Sequence, residues 1–152
     1  MAPSQNGSEP LLPPKLLNEG PEPISATSLG AIKALSILRI ALGASVLIAP
    51  RWSSALFRLP IPAEMAVIAR LFGGREVVLG ELLLTAQDKN SPTGGRREMK
   101  RALWANIGAD SLDVCSVIFA VATGTMGKVP GALFGGGAAV LIALAALSLK
   151  GF

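Results

Sequence analysis

Four blocks of apolar residues, each long enough to cross a bilayer as a helix, set the limits on what this chain can fold into. They cover about residues 28–49, 63–87, 101–123 and 132–149, and a span takes about 20 predominantly apolar residues. Charged residues are 16% of the 152, against about 25% in an average soluble protein. That deficit alone would suit a small greasy soluble bundle, but its gathering into four blocks does not. The sequence therefore predicts an all-α fold, a four-transmembrane-helix bundle over residues 28–152, behind a disordered cytosolic tail over residues 1–27. The tail is polar and carries Pro3, Pro10, Pro13, Pro14, Pro21 and Pro23, so it buries too little apolar surface to offset its ordering entropy. It lacks the basic start and short apolar core of a cleavable signal, which leaves insertion to the first membrane helix.

Orientation follows from the basic residues of the loops. Lys89, Arg96, Arg97, Lys100 and Arg101 lie between the second and third spans, and with Lys15 and Lys150 they mark one side as cytosolic. Arg51, Arg58 and Lys128 remain for the other side. Both termini are then cytosolic, in the endoplasmic reticulum if the cell is eukaryotic, and the sequon Asn6-Gly7-Ser8 is silent. The stretch 50–62, with Trp52, Phe57, Arg51 and Arg58 among three prolines, suits a short interfacial segment. The formal charge is +4, but the chain has no Tyr and its densest basic run sits between two apolar blocks, so it predicts topology and no nucleic-acid partner. Gly73, Gly74 and Gly80 in the second span, and Gly135, Gly136 and Gly137 in the fourth, predict faces where helices approach closely.

Charges fall at matching depths. At about 1.5 Å of rise per residue, Arg39, Arg75, Glu76, Asp110 and Asp113 all lie roughly 13–18 Å from the cytosolic end of their spans, near the midplane. Lys33, Glu81 and Asn106 form a second layer at roughly 7–9 Å. A charge facing lipid at mid-span costs about 2.5–3.5 kcal/mol, so five of them must turn inward and pair. Asn106, Asp110 and Asp113 are spaced i, i+4, i+7 and share one stripe of their helix. Arg39 and Arg75 are their midplane partners, with Arg70 and Glu81 as further charges able to tune the site.

The chain has no histidine and one cysteine, Cys115. Triads built on histidine, histidine-held metals and intramolecular disulfides are excluded together. Cys115 projects away from the aspartate stripe and reads as an inert core thiol, and Ser111 and Ser116 have no visible activating base. What remains is a surplus of carboxyl groups: Glu76, Asp110 and Asp113 against two guanidiniums that stay charged. A carboxylic acid beside a carboxylate is the pairing that performs general acid/base work without histidine, metal or other cofactor. This predicts Asp110 and Asp113 as an acid/base pair, Glu76 assisting, with a lipophilic small molecule as substrate and homo-oligomers as the other association. The same charges could instead only fix which helix packs on which, and conduction of ions or protons is a third reading that the lack of an inverted repeat disfavours.

Over residues 39–123 the pattern resembles a family of small four-helix membrane proteins defined only as a domain of unknown function. The resemblance rests on Ala69-Arg70-Leu71-Phe72-Gly73-Gly74-Arg75-Glu76, then Leu79-Gly80, then Arg101-Ala102-Leu103, then Asp110 and Asp113. It implies the four-helix fold and no activity. Glu76 and Glu81 exceed the charge of that pattern and suggest a subgroup. A weaker resemblance, one of chemistry without a shared motif, runs to membrane-bound cyclases and epoxide-opening hydrolases of fungal secondary-metabolite pathways. It implies protonation of a lipophilic substrate by buried carboxyl groups.

Overall fold

The computed structural model describes residues 24–88 and 94–152; the tail expected over residues 1–27, up to residue 23, and Lys89 with the loop around it lie outside the described residues. All regular structure in those residues is helical. The α-helices are α1 (Ala26–Ile48), α2 (Pro50–Leu56), α3 (Ala66–Thr85), α4 (Arg96–Ala122) and α5 (Lys128–Leu149), with a 3₁₀ turn at Ala63–Met65 before α3. Helices α1, α4 and α5 are long and apolar enough to cross a membrane. The remaining expected span, α3, has 20 residues, but Arg70, Arg75, Glu76 and Glu81 set it apart from those three.

Local chemistry explains the helix ends. Ser25 caps α1 by accepting a hydrogen bond from the Ser28 N–H at 3.2 Å, so the helix starts two residues before its apolar block. Pro50 occupies the first position of α2, where its missing N–H has no intrahelical partner to lose. The interfacial segment is thus a seven-residue helix, held across the end of α1 by Ser53 Oγ donating to the Ser45 carbonyl at 3.0 Å. Arg58 stops it in the left-handed region, at φ 58°. Helix α4 begins five residues before its apolar block. Gly94 and Gly95, at φ 60° and 75°, turn the chain, and Arg96 to Lys100 are strong helix formers once the turn is made. Pro130 lies in the first turn of α5, again where no donor is needed.

The packing is inside-out relative to a soluble bundle. Helix α1 packs most closely on α3, and α4 on α5; α1 also meets α5, while α3 and α4 touch more sparsely. The apolar core is small: Ile32, Leu35, Leu83, Met99, Leu103, Leu141 and Ala145, drawn from all four long helices. Buried polar and charged residues outnumber it, nine against seven, among the described residues. The outer surface carries Ile37, Leu71, Leu112, Phe119 and Val140, every one more than half exposed. Large apolar side chains exposed on all four long helices, around buried charges, mark a surface made to be covered.

The α1–α3 contact depends on missing side chains. A Cβ on Gly43 would stand 2.5 Å from the Gly73 carbonyl oxygen, and one on Gly80 would stand 2.9 Å from that of Ser36. Ser36 and Gly43 are seven residues apart, as are Gly73 and Gly80, so two backbone-to-backbone contacts sit two turns apart along an antiparallel pair. The expected small-residue face of α5 is only partly used. A Cβ on Gly135 would meet Val117 at 3.5 Å, but Gly136 and Gly137, like Gly74 on α3, face open space.

Candidate functional site

Between those two glycine contacts lie Arg39 on α1 and Glu76 on α3. Arg39 is three residues after Ser36 and four before Gly43; Glu76 is three after Gly73 and four before Gly80. The close backbone approach brings the two side chains together, and Arg39 donates from Nη1 to Glu76 Oε2. Its Nη2 donates to Asp110 Oδ2 on α4. Arg75, the neighbour of Glu76, donates from Nη2 to Glu76 Oε1 at 3.0 Å. It also grips Asp113 with both ends of its fork, Nη1 to Oδ1 at 3.0 Å and Nη2 to Oδ2.

The result is an alternating chain of five charges: Asp110, Arg39, Glu76, Arg75, Asp113. Bidentate and bridging guanidinium contacts are the strongest ion pairs available to side chains. The chain is graded in burial. The Arg39, Glu76 and Asp110 side chains are 0%, 4% and 2% exposed, whereas Arg75 and Asp113 are 36% and 30% exposed. The outer pair lies where α3 faces α4, the sparser of the contacts around the bundle, and the Arg75 guanidinium rests over the Phe72 ring at 5.1 Å.

The midplane layer read from helical rise is therefore one connected network. The second layer is not. Lys33 and Glu81 are exposed, no ion pair among the described residues joins them, and only Asn106 turns inward. Residues 76 and 81 on α3 are five apart, which rotates Glu81 about 140° from the buried face. Equal depth did not mean equal direction. Arg70 is also outside the cluster: its Nε donates to the Leu47 carbonyl at 3.2 Å, so it ties the start of α3 to the end of α1. The stripe of α4 does face in. Asn106 and Asp110 are buried and Asp113 sits at the edge. Asn106 turns its Nδ2 back to the Ala102 carbonyl at 2.8 Å.

Three buried polar atoms have no hydrogen-bond partner among the described residues: Arg39 Nε, Arg75 Nε and Asn106 Oδ1. One oxygen each of Glu76, Asp110 and Asp113 lies within 4.8 Å of the others, a spacing at which carboxylates can share a cation. Here the cationic groups they converge on are Arg39 and Arg75, and a metal ion would have to displace a guanidinium. Ser111 and Ser116 donate to carbonyls one turn back in α4, at 2.7 and 2.8 Å, and neither bonds to a base among the described residues. Cys115, expected as a core thiol, is exposed, because its position on α4 faces away from every neighbouring helix.

Residues missed by sequence reading are Gly43 and Ser36, which let Arg39 reach Glu76. A lone glycine in an apolar run carries no mark of a contact, although its seven-residue spacing from Ser36 matches that of Gly73 and Gly80 and could have been noticed. Comparison of the chain with protein-family models, with curated proteins and with solved structures finds no match.

Proposed function

We propose that this chain is an integral membrane enzyme of four spans, α1, α3, α4 and α5, whose carboxyl groups perform acid/base chemistry on a lipid-soluble substrate. The apolar exterior supports the membrane setting. Helix α3 joins the other three because its mid-helix charges, Arg75 and Glu76, are neutralised within the bundle. Arg70 and Glu81 lie four residues from its two ends, about 6 Å, within reach of the interface by snorkelling.

The observation that carries the catalytic reading is the Arg75–Asp113 pair, about one-third exposed at the edge of an otherwise buried cluster. The cluster holds three carboxyl groups for two guanidiniums, a count that leaves room for one exchangeable proton. Asp113 is the group a substrate lying between α3 and α4 would touch. Glu76 and Asp110 are positioning residues behind it, the first through Arg75 and the second through Arg39. In an epoxide opening, a carboxylic acid gives its proton to the ring oxygen as the C–O bond breaks. Water adds to the carbon and loses a proton to a carboxylate, so the net change is addition of water. In a cyclisation an internal alkene adds instead, and the resulting cation returns a proton to the carboxylate. Neither route needs a cofactor.

The second reading, ion pairs that serve only to assemble the bundle or a larger membrane complex, draws on the fact that every carboxylate in the cluster already has an arginine partner. Turnover of a polyprenyl epoxide by the full chain in liposomes, followed by mass spectrometry, separates the two. Asp113→Asn should abolish product while the protein still accumulates in membranes. Product at the wild-type level from that variant removes Asp113 from the chemistry. Loss of accumulation, with no turnover by the wild type, favours assembly.

A further inference from the structure

Helix α4 starts on a basic run, Arg96, Arg97, Lys100 and Arg101. Helix α4 has 27 residues, about 40 Å of rise, whereas the hydrocarbon layer is about 30 Å thick. The surplus of about 10 Å projects from one face of the membrane, and Arg96, Arg97, Lys100 and Arg101 all lie within it. Their i, i+1, i+4, i+5 spacing puts them in two adjacent rows on one side of the helix. With Trp104 they line an open groove of about 680 Å³.

Three features point to an anionic occupant. Gly95 precedes the helix and no side chain caps it, so the start of α4 carries partial positive charge at the same end as the basic run. The carboxylate nearest in the helix, Glu98, makes only a loose, exposed pair with Arg101 at 3.7 Å. Phe152 packs alongside: Arg96 and Lys100 stand over its ring at 5.8 and 5.5 Å, and Lys100 Nζ donates to its carbonyl at 3.5 Å. These contacts hold two of the groove's five lining residues in place. Trp104, 63% exposed, sits one turn further in, at the depth where indole rings anchor proteins to the headgroup region.

We infer that this groove binds the phosphate headgroup of an anionic phospholipid, with Arg97, Lys100 and Arg101 on the phosphate and Trp104 against the glycerol and upper acyl region. A free phosphate compound offers the same anionic chemistry, but it gives no reason for an exposed indole on the membrane side of the cations. The inference needs α4 to cross the bilayer; it does not need the carboxyl cluster to be catalytic.

Trp52 and Trp104 are the two tryptophans, so Trp52→Phe leaves Trp104 as sole reporter in the full chain. The protein is placed in nanodiscs of phosphatidylcholine containing equal fractions of bromine-labelled phosphatidylserine or bromine-labelled phosphatidylcholine. Quenching of Trp104 should report a local fraction of the anionic lipid about fivefold above that of the neutral one, the enrichment that a single well-placed cation produces. It should vanish at about 1 M salt, where screening acts within about 3 Å, and in the Arg97→Gln, Lys100→Gln, Arg101→Gln variant. Equal quenching by the two lipids in the unmodified groove at low salt overturns the proposal without recourse to any variant. Loss of the preference on adding millimolar inorganic phosphate at constant ionic strength overturns the lipid as the source and assigns the groove to a free phosphate.

Discussion

Gly43 of α1 and Gly73 of α3 face each other with backbones in contact: a Cβ on Gly43 would lie 2.5 Å from the Gly73 oxygen, and one on Gly73 would lie 2.8 Å from that of Gly43. The ion pair between Arg39 and Glu76 depends on this approach, since it sits one turn away between the same two helices. Gly43→Ala and Gly73→Ala should each force the helices apart and cost about 1–3 kcal/mol. Gly74→Ala, where nothing lies within 4 Å, should be neutral or should stabilise by up to about 1 kcal/mol through helix propensity. Thermal unfolding in detergent, all three side by side, checks this. Equal effects at positions 73 and 74 would refute the contact.

Arg39 is fully buried and is held between two carboxylates. Arg39→Met should be among the most damaging single changes, about 3–5 kcal/mol, because it strands Asp110 away from water and leaves Glu76 with Arg75 alone. The triple change Arg39→Met, Glu76→Leu, Asp110→Leu removes the charges together and should recover most of that loss. Membrane accumulation and unfolding midpoint are the measurements. A triple variant no better than the single one would mean that the charges contribute more than mutual compensation.

Arg75 pairs with Asp113 through both ends of its guanidinium. Exchanging the two, Arg75→Asp with Asp113→Arg, should restore part of the accumulation lost in either single variant. The same exchange between Arg75 and Asp110 should restore none, because Asp110 is held by Arg39. A double-mutant cycle on protein recovered from membranes tells them apart.

Asn106 presents a buried Oδ1 that has no partner among the described residues, while its Nδ2 bonds only within its own helix. Asn106→Leu keeps the volume and removes an unpaired acceptor, so stability should stay level or rise by up to about 1 kcal/mol. A loss larger than that, read by thermal unfolding, would show that Oδ1 is engaged in the working protein.

Cys115 is exposed and lies seven residues, about 10 Å, before the end of α4. If that face meets acyl chains, a charged maleimide should label Cys115 slowly in intact membranes and fully after dissolution in dodecyl sulfate. Since it is the chain's single cysteine, the readout is one mass shift. Equal labelling rates in the two conditions would place this part of α4 in water and remove the membrane reading.

The sequence by itself determined the helical class, the apolar lengths of α1, α4 and α5, and the set of five charges that had to meet. These follow from one-dimensional quantities: hydropathy along the chain, and depth from a fixed rise per residue. It could not determine direction around each helix, which is why Lys33 and Glu81 were placed in a layer they do not form and Arg70 near a site it does not join. Gly73 and Gly74 make the point most simply. They are identical and adjacent, yet about 100° apart around α3, so one touches Gly43 and the other touches nothing. The tertiary structure decided which arginine holds which carboxylate, and which pair stays open at the edge, because pairing depends on the azimuth and separation of packed helices, and those are set only when the backbones meet.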